Sequence, residues 1–200
     1  MSDTDGSLRI QLLPLALISE GATDTVRAAG GDLVSRLVRR TAAGVVPVTR
    51  DESASHRGSD PFAVAAEQTF THELVGADVR DHVAAGVTFR MIAVDGSPFT
   101  TTALLWPDTV AKFHGMVDAI VSAPRMSAVL VRPVLTQGDI GAARTLRSVA
   151  QVVFRDAPDP CTDEVYWWHA GQIFRVEFDR STVGPVLPPE LSQLVAALPG

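Results

Sequence analysis

Short apolar runs broken at close intervals by turn residues fill the C-terminal half of this chain, and they constrain its fold more than any other feature. Asp118 to Ala123 and Ser127 to Val134 are two such runs, separated by Pro124, Arg125 and Met126, a spacing that suits a β-hairpin. Ile140, Ala143, Leu146, Val149 and Ala150 then recur at steps of three and four, which predicts a helix begun by Asp139; Val152 to Phe154 continue it or form a short strand. The two prolines and three aspartates between Arg155 and Asp163 mark a loop. Glu164 to Trp168 and Gln172 to Phe178 form a second hairpin. A three-residue loop closed by Gly171 would set Trp167 near Ile173 and Tyr166 near Phe174. Pro188 opens a final helix through Leu198.

The N-terminal half is less regular. Residues 1–7 are small, polar and acidic and read as a disordered tail, with one domain over 8–200. Leu8 to Ile18 is almost continuously apolar, but Pro14 cannot donate to a central ladder, so the segment reads as an edge strand or a short bent piece. Thr23 or Asp24 caps a helix through Val26, Leu33, Val34, Leu37 and Val38. Gly30 and Gly31 weaken its middle, leaving Asp32 to Thr41 as the strong part, with Arg36, Arg39 and Arg40 on a solvated face. Val45 to Val48 is a short strand, and 50–60 reads as a flexible loop. Asp60 and Pro61 start a helix to about residue 74, with Phe62, Ala65, Ala66, Thr69 and Phe70 on one face. Val87 to Val94 is a strand followed by a turn at 95–98, and Asp108 caps an amphipathic stretch containing Val110, Phe113 and Met116. No repeat and no strict alternation of strands with long helices occurs. The expected class is therefore α+β, a mixed and mostly antiparallel sheet with helices packed on it in a single domain.

Composition then excludes several kinds of protein. A chain of 200 residues with 46% hydrophobic and 20% charged residues has the means to fold alone. A net charge of -6, carried against sixteen arginines and the single lysine Lys112, offers no concentrated basic surface for nucleic acid. Cys161 is the only cysteine, so no intrachain disulfide forms and a reducing cytoplasm is expected. The acidic N-terminus does not look like a secretory signal, and no apolar run approaches the ~20 residues that span a bilayer, so no membrane insertion is expected.

No cofactor or metal is expected either. Walker and GxGxxG loops are absent, and the nucleophile elbow fails because Gly96 and Ser97 are followed by Pro98. His72 and Glu73 begin an HExxH pattern whose second histidine is replaced by Gly76, and His82 with Asp78 and Asp81 is only a loose substitute. Asp156, Asp159, Asp163 and Glu164 match no calcium-loop spacing, and Cys161 beside them has no neighbour to activate its thiol. The distinctive local feature is Tyr166, Trp167, Trp168 and His169. Side chains alternate along a strand, so the two indoles face opposite ways. One exposed indole beside His169 and Arg175 would form a recognition patch, with Arg125 at the tip of the neighbouring hairpin as an anion contact. The alternative is a fully packed hairpin.

The succession AIVSAPRMSAVLVRPV, GAARTLRSVA and EVYWWHAGQIFRV resembles uncharacterised bacterial YtpQ-like proteins, over residues 98–178. That resemblance implies an α+β fold and carries no activity or functional residues. The expected function is a non-enzymatic cytosolic interaction or regulatory protein with a protein partner. Two alternatives stand beside it: a small-ligand binder or enzyme assembled from scattered groups such as His114, His169 and Arg125, and a structural subunit of a homo-oligomer.

Overall fold

The fold is α+β, two antiparallel sheets with helices packed against them, in a computed structural model that describes residues 7–19, 25–54, 60–179 and 185–199. The expected tail at 1–7 lies almost wholly outside the described residues. In the first sheet β3 (Leu33–Thr41) is central, flanked by β1 (Leu8–Pro14) and β2 (Val26–Gly30), while β4 (Gly44–Pro47) pairs with its far half. As expected, Pro14 ends an edge strand. The open side of that edge is covered: the Ile10 amide donates to Thr69 Oγ1 at 2.9 Å, and the Thr101 hydroxyl donates to the Leu12 carbonyl at 2.6 Å. Such covering removes the unpaired row that makes an edge prone to association.

The helix expected over Asp32 to Thr41 is instead β3. Spacings of four at Leu33/Leu37 and Val34/Val38 fit a helix, but four is also twice the strand period. These residues are buried on both faces of β3, between β1 on one side and β2 and β4 on the other. Gly30 and Gly31 turn the chain between β2 and β3 with φ of 133° and 57°, which glycine adopts freely. Part of the expected loop at 50–60 is also structured. Thr49 and Glu52 exchange bonds, amide to Glu52 Oε2 at 2.9 Å and amide to Thr49 Oγ1 at 3.3 Å, and so cap the short helix α1 (Arg50–Ala54). The remainder, 55–59, lies outside the described residues.

Helix α2 (Pro61–Thr69) begins as expected, with the Asp60 carboxylate accepting the Phe62 amide at 3.0 Å. It buries Phe62, Ala65 and Thr69 and passes into a π-turn, Phe70–Leu74, that brings Glu73 and Leu74 inward.

The second sheet has the order β10-β9-β7-β8-β6-β5. Its strands are β5 (Asp78–Ala84), β6 (Val87–Ala93), β7 (Asp118–Arg125), β8 (Ala128–Pro133), β9 (Val165–His169) and β10 (Gln172–Arg175). One face, with Ile92, Val121, Val129, Val131, Tyr166 and Trp168, packs against Leu12 and Leu33 of the first sheet and Ala103 and Leu104 of a 3-10 segment, Thr100–Leu105. The other, with Ile120, Leu130, Val165 and Trp167, packs against Ala143, Leu146 and Ala150 of α4 (Ala142–Asp156) and Leu191 of α5 (Pro189–Ala197). Three layers result. The expected helix after Asp139 is therefore α4, entered through a Thr136–Asp139 capping box and continuing through Val152 to Phe154. No described helix is long and apolar enough to cross a membrane.

Two further expectations are corrected. The β9–β10 hairpin pairs Trp168 with Ile173 and Trp167 with Phe174, one place from the expected register, because its turn holds only Ala170 and Gly171, at φ of 44° and 88°. Two successive positive φ values suit a two-residue turn whose twist matches the strands. Asp108 is not a cap: Trp106 occupies that position before α3 (Pro107–Val110), and Asp108 sits in the first turn.

Candidate functional site

Helix α3 lasts one turn and closes in a Schellman pattern. The Phe113 amide donates to the Asp108 carbonyl at 2.8 Å, the Lys112 amide to that of Thr109 at 3.3 Å, and Lys112 between them takes φ 58°. Gly115, at φ 75°, turns the chain again toward β7. The loop so shaped, with the start of β6 and the end of β8, encloses a cleft of about 440 Å³ at one end of the second sheet. Asp81, Phe89, Arg90, Lys112, Phe113, His114, Met116, Arg132, Pro133 and Leu135 are among the residues lining it.

Arg90 clamps the loop to the sheet. Its guanidinium carbon lies 4.0 Å from the centre of the Phe113 ring, its Nε donates to Asp81 at 2.8 Å, and Nη1 donates to the Ala111 carbonyl. The bond from Arg90 holds the Asp81 carboxyl below the usual carboxylate range. Arg132 donates to the Thr88 carbonyl at 3.0 Å and to Asp139 at 2.5 Å. Burial works against ionisation of Asp139, but the Leu135 amide, Arg132 and the Thr136 amide together bring its pKa below the usual value. Each guanidinium thus faces a carboxylate. Among the described residues none is bridged to Lys112, which is exposed on the cleft wall.

The residues expected to form a recognition patch do not come together. Trp167 and Trp168 are only 1% and 5% exposed, because α4 and the first sheet cover the two faces of β9. The Trp167 indole donates to Asp118 Oδ1 at 2.8 Å, and His169 Nδ1 lies 2.9 Å from the same oxygen, which fixes the imidazole at the start of β7. Arg175 bonds Glu164 at 2.6 Å and approaches Asp32 at 3.8 Å. Asp32 also accepts the Tyr166 hydroxyl at 2.8 Å, and burial pushes that phenol above its ordinary range. Arg125 stands at the far end of β7, roughly 20 Å from His169 at the rise of a strand, beside a separate cavity of about 260 Å³ with Ser97, Ser127 and Asp159. Of the three scattered polar groups, His114 lines the large cleft, Arg125 the small cavity, and His169 neither.

The weaker metal and thiol candidates are engaged elsewhere. Glu73 turns inward to Arg9, at 3.0 Å, and to Arg40, while His72 is exposed. Asp159 accepts the Ser127 amide at 2.9 Å. Among the described residues no group of three or more His, Cys, Asp or Glu is placed to hold a metal. Cys161 is buried, and burial pushes its thiol up to about 12.

Sequence reasoning passed over Lys112, Arg90 and Arg132. The one available signal was compositional: a single lysine in a chain that otherwise uses arginine, immediately before Phe113 and His114. No family model, no curated protein and no solved structure matches the chain.

Proposed function

We propose that the protein is a non-enzymatic, regulatory ligand-binding protein that takes a small anionic molecule in the cleft beside Lys112. The observation that carries this reading is the charge arrangement: Arg90 and Arg132 are matched by Asp81 and Asp139, and among the described residues the Lys112 ammonium has no carboxylate of its own. A cleft of about 440 Å³ has the size of a small-molecule site, and its lining joins apolar side chains to charged and polar ones. A protein-recognition role drew on an exposed indole, and the packed hairpin withdraws that support. The single buried thiol suits a cytoplasmic setting. The likeness of residues 98–178 to YtpQ-like proteins implies no activity, so the reading rests on the cleft.

Because Lys112 is the only lysine in the chain, reductive ¹³C-methylation labels one side chain besides the α-amino group and keeps the charge. Titration with small carboxylates and phosphates is expected to shift the Lys112 methyl resonance saturably. If no anion moves it, the reading fails.

A further inference from the structure

Resting on that anion-binding reading, we infer that the occupant is an amphipathic monoanion, a carboxylate joined to an apolar chain or ring. The charge balance of the cleft sets the first condition. Arg90 is spent on Asp81 and the Ala111 carbonyl, and Arg132, whose Nε stays unbonded, on Asp139 and the Thr88 carbonyl, so among the described residues the ammonium of Lys112 is the formal positive charge in the cleft without a carboxylate. A di- or triphosphate would bring two or more further negative charges against Asp81, and among the described lining residues only the His114 imidazole stands beside Lys112 without a carboxylate.

The backbone sets the second condition. Phosphate sites draw heavily on free main-chain N–H groups. Here five of the amides that border the cleft are already given away: Lys112 to Thr109, Phe113 to Asp108, Met116 to Phe113, Val134 to Asp118, and Leu135 to Asp139, while among the described residues the amides of His114 and Gly115 make no hydrogen bond. The cleft therefore offers an anion one side-chain ammonium and at most the two successive amides of His114 and Gly115, a donor set small enough for the two oxygens of a carboxylate.

Apolar surface sets the third. Phe89, Phe113 and Met116 form much of the wall. Leu135, lining the cleft, is 67% exposed, and Val117, next to Met116, is 53% exposed. Exposed aliphatic groups on the rim of a cleft that holds the Lys112 ammonium suit an apolar chain leaving a carboxylate at Lys112.

Calorimetric titration of the full chain tests this with butanoate, hexanoate, octanoate, octanol, inorganic phosphate, pyrophosphate and ATP. Affinity is expected to rise along the carboxylates by up to about fourfold per methylene, the transfer value of a buried CH₂. Octanol should bind at least tenfold more weakly than octanoate. Lys112→Met should weaken octanoate about tenfold while leaving the far-UV circular dichroism and thermal midpoint near those of the wild type, and Leu135→Ser should flatten the rise with chain length. Equal binding of octanol and octanoate, or octanoate binding untouched by Lys112→Met, overturns the inference. Lys112-dependent binding of pyrophosphate or ATP without octanoate also overturns it, yet leaves the anion site standing. Silence from every anion removes both.

Discussion

Lys112 occupies a backbone position that glycine fills at lower cost. It is the left-handed residue that ends α3, and at φ 58° an L side chain crowds the following carbonyl. Lys112→Gly is therefore expected to stabilise the protein by about 0.5–1 kcal/mol in urea denaturation, even as it removes the free ammonium from the cleft. A variant less stable than the wild type would show that the conformation is not strained. This residue was legible only as a compositional oddity. Its partners in the cleft, Arg90 and Arg132, come from strands whose pairing no local pattern announces. For Trp167 and Trp168 the alternation of faces was legible and the burial was not. What covers each indole comes from α4 and from the first sheet, far along the chain from the hairpin itself.

At the scale of elements, the entry to α4 joins the fold to the cleft. Asp139 accepts the Leu135 and Thr136 amides at 3.0 and 2.9 Å and holds Arg132, so one carboxylate caps the helix, closes the exit of β8 and sets the cleft wall. Asp139→Asn is expected to cost about 1–2 kcal/mol near neutral pH. The sign with pH follows from the lowered pKa of the folded state. The stabilisation is complete above the unfolded carboxyl pKa of about 3.9 and fades as pH falls through the folded value, so the wild type loses more stability on acidification than the variant. Equal pH slopes in chemical denaturation would count against this role.

Elements bounded by turn residues, such as the β7–β8 hairpin and α4, were legible because local chemistry fixes them. β3 was not, because its spacing of four serves helix and strand alike. β5 was missed for the opposite reason: it is largely exposed on both faces and, among the described residues, pairs only with β6, so it carries no apolar pattern to be read.

At the scale of the whole molecule, the two sheets meet most closely where the β2–β3 turn touches β10. A Cβ on Gly30 would stand 2.2 Å from the Ile173 carbonyl oxygen, and φ there is 133°. Gly30→Ala must therefore separate the layers locally as well as strain the turn, and an overall loss of about 2–4 kcal/mol is expected by equilibrium unfolding. A loss below about 1 kcal/mol would mean that the turn yields without disturbing the interface.

The adjacent indoles of β9 open a way to watch these layers separately. Trp167 looks into the helical layer and Trp168 into the layer between the sheets. With Trp106 replaced by Phe, variants keeping only one of the two emit from a single known interior. If the layers melt together, the two fluorescence transitions coincide in denaturant. If the helical side loosens first, the Trp167 emission reddens ahead of its neighbour's, and two fluorophores one residue apart become gauges of different halves of the molecule.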